Sequence, residues 1–191
     1  MTRTSPYTKL DPQFLYRWSP RSFLSDPLSD EDIMTLFEAA RWAPSCYNEQ
    51  PWFFVYGRGD RLSEFQTALV DGNRKWADKA PLLILVFARN DFEERGNPNH
   101  WAQFDSGSAW MSLCLQAQKM GLVCHAMGGF KKDRAHEVAN VNEDKFTAMC
   151  AIAVGKQGPA ESLDDDLKER EDPSNDRRPL ADIVHEGPLP G

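Results

Sequence analysis

Residues 41–57 read RWAPSCYNEQPWFFVYG, and the way this stretch is parsed decides the fold. Upstream, Ser29 to Trp42 has the pattern of an amphipathic helix. Ser29 is placed to cap it, Asp30, Glu31 and Asp32 put negative charge in its first turn, and Asp32 stands where a capping-box partner would. Ile33, Leu36, Phe37 and Ala40 fall on one apolar stripe, and Pro44 ends the helix. Pro51 then introduces Trp52-Phe53-Phe54-Val55-Tyr56, a first core strand closed by Gly57. Between helix and strand lie Ser45 to Gln50, six polar or hydrogen-bonding residues where the chain turns back into its core.

The same reading extends outward. Residues 61–70 are expected to be helical, with Leu62, Phe65 and Leu69 on one face. APLLILVFA, residues 80–88, shows no polar alternation, as a strand covered on both faces should. FEERGNPNHW, residues 92–101, has loop composition, and residues 103–120 form a long helix that is apolar around much of its circumference. A strand over 122–127 ends at Gly128-Gly129, a shorter helix covers 132–139, and a last strand covers 148–154. Beyond Gly155 the composition turns to an acidic run, a basic pair and a proline-ended tail. The chain is therefore expected to form a single domain, 1–191, with 156–191 as an extended C-terminal arm. The pattern implies an α+β, three-layer fold in which a mixed sheet carries helices on both sides, without the regular repeat of a barrel. Neither a GxGxxG nor a GxxxxGK[ST] motif is present.

Composition narrows the classes of function. The 191 residues are 41% apolar and 27% charged, ordinary values for a soluble globule, and the formal charge of −7 argues against a nucleic-acid partner. The longest apolar run is nine residues, far short of a membrane span, and MTRTSPYTKL lacks the apolar centre of a signal peptide. A cytoplasmic location is the expectation. Cys46, Cys114, Cys124 and Cys150 have no metal-ligand spacing, and the last three read as small buried thiols. His100, His125, His136 and His185 are too scattered for a metal centre, and His125 reads as a strand residue with a local hydrogen bond.

Basic residues gather near the N-terminus in FLYRWSPRSF, where Arg17, Ser19 and Arg21 alternate and can meet one anion from an extended segment. Arg177-Arg178 forms a second group in the C-terminal arm. Arg17 to Arg21, Ala43-Pro44-Ser45, Asn48 and Gln50-Pro51-Trp52-Phe53, in that order, resemble the nitroreductase family of flavin-dependent oxidoreductases. The resemblance continues through Asn73, Ala80-Pro81, the helix from Asp105 to Gly121, Met127-Gly128-Gly129-Phe130 and Arg177 to Leu180.

That resemblance implies a three-layer α+β fold with a mixed, mainly antiparallel central sheet flanked by helices, in an intertwined homodimer with FMN at the subunit interface. It implies hydride transfer from NADH or NADPH to flavin N5, then to a nitroaromatic, quinone or similar small organic acceptor, with no membrane or nucleic-acid partner. Arg17, Ser19, Arg21 and Arg177 are then expected on the FMN phosphate and ribityl end. Pro44, Ser45 and Asn48 are expected along the isoalloxazine ring from the other subunit, with Asn73 and Lys75 at its pyrimidine edge. Met127, Gly128 and Gly129 are expected beside the ring, where backbone amides approach it. The flavin carries the chemistry, so no side chain is assigned as catalyst. Trp52 and Phe53 read as core anchors, Phe92 and Trp101 as residues able to close over a substrate, and the 103–120 helix as the dimer core.

The sequence departs from the family pattern at three places. Trp18 replaces the second of two paired arginines, Asn175 replaces a lysine two places before Arg177, and Gly128 replaces a frequent acidic residue. The first two leave the phosphate to Arg17, Arg21 and Arg177, with Arg178 or Lys156 as substitutes, and the third opens one face of the ring. The short 92–101 loop leaves the channel more open than in larger relatives. A specialised flavin reaction such as reductive dehalogenation, a flavin storage or sensor protein, and a protein that binds no flavin are the alternatives.

Overall fold

Strand β2 (Leu82–Arg89) runs through the middle of the structure because neither of its faces can be left to water. The computed structural model describes residues 3–173 and 176–189. Leu82, Ile84 and Val86 point to one side of β2, and Leu83, Leu85 and Phe87 to the other, and all six are buried. The strand starts two residues into the apolar run, since Pro81 has no N–H to give a ladder. Strands β1 (Trp52–Arg58), β3 (Val123–Met127) and β4 (Phe146–Gly155) complete a four-stranded sheet in the order β1-β2-β4-β3.

Every strand pair is antiparallel. The mainly antiparallel sheet with flanking helices holds, and only its expected mixed character is corrected. Strands β2 and β3 do run in the same direction, but β4 lies between them and pairs with both, so no parallel ladder forms. A bulge opens in β4 opposite Val86 and Phe87, whose partners are Cys150 and Ala148.

One face of the sheet is covered by α2 (Asp30–Arg41) and α5 (Ala102–Lys119), through Ile33, Leu36, Ala109, Leu113 and Ala117. The other is covered by α3 (Leu62–Gln66), α4 (Asp71–Ala77) and α6 (Lys132–Ala139), with Phe65, Trp76 and Ala135 against it. Short helices α1 (Gln13–Tyr16) and α7 (Asp165–Lys168) belong to the terminal segments. Among the described residues no helix is long and apolar enough to cross a membrane.

The α2 cap forms as its sequence implies. Ser29 Oγ accepts the Asp32 N–H at 3.0 Å and donates to Asp32 Oδ2 at 2.8 Å. The 61–70 helix, by contrast, stops at Gln66. Leu69 forms a bridge with Phe130, and Lys131 N donates to Ala68 O at 2.7 Å, which pulls the chain into extended backbone at Val70 before α4 begins. Phe53 is also corrected. It is 39% exposed on the edge strand, edge-on to Phe146 at 4.8 Å and beneath Arg89, whereas Trp52 is buried.

Leu36 is fully buried in the α2–α5 layer. Leu36→Ala is expected to cost about 2–5 kcal/mol and Ser29→Ala about 1 kcal/mol. In chemical denaturation both midpoints should fall at unchanged slope, the first further than the second.

Candidate functional site

The arginine segment follows α1, where Arg17 takes up extended backbone. Arg17 Nη1 lies 3.4 Å from Ser19 Oγ, so the alternation of the sequence does bring these two groups to one side. Among the described residues neither Arg17 nor Arg21 forms an ion pair. The Arg21 guanidinium makes one long contact, 3.5 Å to Arg170 O. Arg3 joins the group, donating from Nη1 to Arg17 O at 2.7 Å. Burial, then the charges of Arg177 and Arg17, hold Arg3 below the usual arginine range, and Arg3 and Arg177 line one groove. Arg3 carries no motif, and only its contact with Arg17 reveals it. Arg177 comes from the C-terminal arm, and a groove of about 650 Å³ lies between that arm and residues 3–15. Arg178 lines the same groove, while Lys156 is exposed beyond β4. Asn175 lies outside the described residues.

His125 fastens this segment to the sheet. Its Nδ1 is 2.9 Å from Pro20 O, so the ring donates Nδ1–H there, and its ring sits 4.4 Å from that of Trp76 on α4. Burial is the main force lowering its pKa, with the charges of Arg21 and Arg17 acting in the same direction and the backbone carbonyls opposing them.

Trp76 leads to the second group. On the same helix Asn73 Nδ2 donates to Gly129 O at 2.7 Å, just past the end of β3 at Met127. The Asn73 side-chain oxygen accepts no hydrogen bond among the described residues. A Cβ on Gly129 would stand 3.0 Å from Asn73 Nδ2, whereas one on Gly128 would meet nothing within 4 Å. Gly128 and Gly129 are exposed, and Met127 is buried. Lys75 is exposed two residues beyond Asn73, and residues so spaced do not share a helix face.

Pro44, Ser45 and Asn48 lie elsewhere, in the loop that feeds β1. Ser45 Oγ accepts from Gln50 N at 3.0 Å, Gln50 Nε2 donates to Asn48 O at 3.0 Å, and Cys46 N donates to Asp105 Oδ2 at 3.0 Å. Tyr47, Asn48 and Gln50 all have left-handed backbone. Tyr47 is 73% exposed, with Arg95 4.3 Å above its ring and the buried Phe92 at its edge. Phe92 is thus a support beneath Tyr47 and not a free cover, while Trp101 is exposed beside Phe104.

Sheet order separates the two sets. β1 and β3 are opposite edges, about three strand spacings or roughly 14 Å apart; the Pro44–Asn48 loop leads into the first and the Met127–Gly129 turn ends the second. Arg17, Ser19, Asn73, Met127, Gly128 and Gly129 are joined on the β3 side through His125, Trp76 and Gly129, and Pro44, Ser45 and Asn48 are not.

Two of the cysteines are chemically quiet. A hydrogen bond with Cys114, then burial, push the Cys124 thiol up, and burial pushes Cys150 up to about 12. Protonated thiols of this kind are poor nucleophiles. Among the described residues no group of His, Cys, Asp and Glu is arranged to hold a metal.

Comparison with known proteins identifies the family and the fold. The model of the "Nitroreductase family" matches residues 15–71 and 56–156. A crystal structure described as an oxidoreductase containing FMN is 42% identical, with a TM-score of 0.93 over 99% of this chain and 96% of that one. A nitroreductase family protein from Streptococcus pneumoniae is 21% identical, with a TM-score of 0.75 over 92% of this chain and 98% of its own. The enone reductase CLA-ER, of gut-bacterial fatty acid saturation, shares the fold at 20% identity and a TM-score of 0.68, over 87% and 98% of the two chains.

The depressed pKa of His125 has a consequence for stability. An unfolded chain binds a proton there near the ordinary value, about 6.5, and the folded chain does not until lower pH. This contribution is therefore complete above about pH 6.5 and is lost as pH falls through the folded value. Between roughly pH 7.5 and 5, the thermal midpoint of the ligand-free protein should fall further for wild type than for His125→Asn, whose amide keeps a donor toward Pro20 O.

Proposed function

Because the chain belongs to the nitroreductase family, we propose that it binds FMN, takes electrons from NADH or NADPH and passes them to a nitroaromatic, quinone or similar small organic acceptor. The observation that carries this reading is the pair of guanidinium groups on Arg17 and Arg21, without ion-pair partners among the described residues and on the same side of the sheet as Asn73 and the open Gly128-Gly129 turn.

The residues present fit the group. A phosphate carries roughly two negative charges near neutral pH and takes paired, charge-assisted bonds from arginine forks. Arg17, Ser19 and Arg21 would hold it, with Arg177 reaching in from the arm and Arg3 steadying Arg17. The free side-chain oxygen of Asn73 suits an N–H at the edge of a flat heterocycle, and Lys75 adds positive charge on the same helix. Beside Met127, the glycines at 128 and 129 let a ring approach the backbone closely. Bound FMN supplies hydride acceptance and donation, while the protein binds, orients and shields it.

Pro44, Ser45 and Asn48 complete this site only from a second copy, because their own chain holds them at the opposite sheet edge. A homodimer with two interfacial sites follows. Exposed Phe104 on α5 and Trp42 at the end of α2 support it as apolar surface awaiting cover, and the arm from 156 onward is read as part of the same domain. A cytoplasmic location remains part of the proposal.

The purified protein should show flavin absorbance, bleach on anaerobic addition of NADH or NADPH, and recover with a nitroaromatic or quinone. Flavin that neither donor reduces would replace turnover by storage or sensing, and a protein that takes up no flavin would end the proposal. Arg17→Ala is expected to weaken FMN binding by about 10–100-fold, the loss of about 1.5–3 kcal/mol for a hydrogen bond to a charged group. Gly128→Glu should fold normally, since nothing lies within 4 Å of its Cβ. It should also slow bulky acceptors relative to small ones; unchanged relative rates would remove Gly128 from acceptor selection.

A further inference from the structure

Glu171, in the C-terminal arm, is with Asp105 a buried charged residue among the described residues, 8% exposed. Its carboxylate has no cation in ion-pair range among the described residues, and it accepts only backbone N–H groups. Arg21 N reaches both oxygens, at 2.9 and 2.8 Å, and Ser22 N reaches Oε1 at 2.8 Å. Desolvating a carboxylate is costly, and charge-assisted bonds to two successive amides are what offset that cost. The same short segment is gripped elsewhere. Ser22 Oγ donates to Pro159 O at 2.7 Å, Gly158 N donates to Ser22 O at 3.0 Å, and His125 holds Pro20 O from the sheet side. The backbone that carries Arg21 is therefore fixed on both flanks while its guanidinium is left almost unengaged.

We propose that Glu171 is a positioning residue for phosphate recognition: by clamping the Arg21 and Ser22 amides it presets the Arg21 side chain and ties down the arm that delivers Arg177. The inference rests on the flavin reading given above. It has a diagnostic sign. Through its charge alone Glu171 opposes an anion nearby, so on electrostatics Glu171→Gln should tighten phosphate binding. As a clamp, the carboxylate has both oxygens engaged, and the Gln amide offers one acceptor in place of two, so Glu171→Gln should loosen it.

The test uses the full-length protein, stripped of flavin and titrated with FMN and, separately, with riboflavin, which lacks the phosphate. Glu171→Ala is expected to weaken FMN binding by about tenfold or more and Glu171→Gln by less, with riboflavin affinity changed by no more than about twofold. Adding Arg21→Ala to Glu171→Ala should weaken FMN little further, because both act through one group. Should Glu171→Ala fail to fold, the near-isosteric Gln variant decides the matter. Equal losses for FMN and riboflavin would reduce Glu171 to a structural staple, and tighter FMN binding by Glu171→Gln would make its charge the dominant effect. Either result overturns the proposal. A wild-type protein that binds neither flavin would overturn the flavin reading itself and the role of Glu171 with it, an outcome recognisable before any variant is compared.

Discussion

The double-sided burial of β2 and β4 governs where everything else can stand. A sheet with α2 and α5 on one face and α3, α4 and α6 on the other has no open face on which to build a site. Polar groups that must meet a ligand are therefore confined to strand ends, edge strands and the segments that pass beside them. The Met127–Gly129 turn ends edge strand β3, the Arg17–Arg21 segment is fastened beside it, and the Ser45–Gln50 loop feeds edge strand β1. The separation of the two edges, which makes a second copy part of the proposed site, follows from the same constraint.

Positive charge gathers on the β3 side. Arg3 stands near Arg17 and Arg177, whose charges add to burial in lowering its pKa. The group next to them on the sheet, His125, is held toward its neutral form, so the strand adds a hydrogen-bond donor and no further charge. Glu171, the buried acid closest to Arg21, uses its oxygens on backbone and not on a guanidinium. In the proposed site an anion would meet the Arg17 and Arg21 guanidinium groups, which form no ion pair among the described residues.

The β1 side stores a different kind of cost. Three non-glycine residues with left-handed backbone within four positions, Tyr47, Asn48 and Gln50, each carry strain on the order of 1–3 kcal/mol. Hydrogen bonds from Gln50 N to Ser45, from Cys46 N to the buried Asp105 and from Glu93 N to Glu49 hold the loop in that shape. Asn tolerates this backbone better than most residues, whereas Tyr47 does so while turning its ring to solvent. Strain maintained by dedicated contacts points to a loop whose shape matters more than its ease of folding.

Much of this was legible in the sequence. The α2 cap and stripe, the two-sided apolar run of β2, the helix over 132–139 and the Arg17–Ser19 pairing are set by neighbours within a few residues, where periodicity and capping chemistry act. What the sequence left undetermined depends on residues far apart in the chain. The insertion of β4 between β2 and β3 makes the sheet wholly antiparallel, and no local signal encodes which strands become neighbours. The bridge from Leu69 to Phe130 broke a helix that local pattern would have continued, and in doing so set Asn73 against Gly129. Arg3 and Glu171 carry no motif at all. Their partners lie 14 and 150 residues away, and only packing brought them to the arginine segment. Local sequence determined the elements and their chemistry, and long-range packing decided which of those groups meet, because a side chain's partner is fixed by the fold and not by its neighbours in the chain.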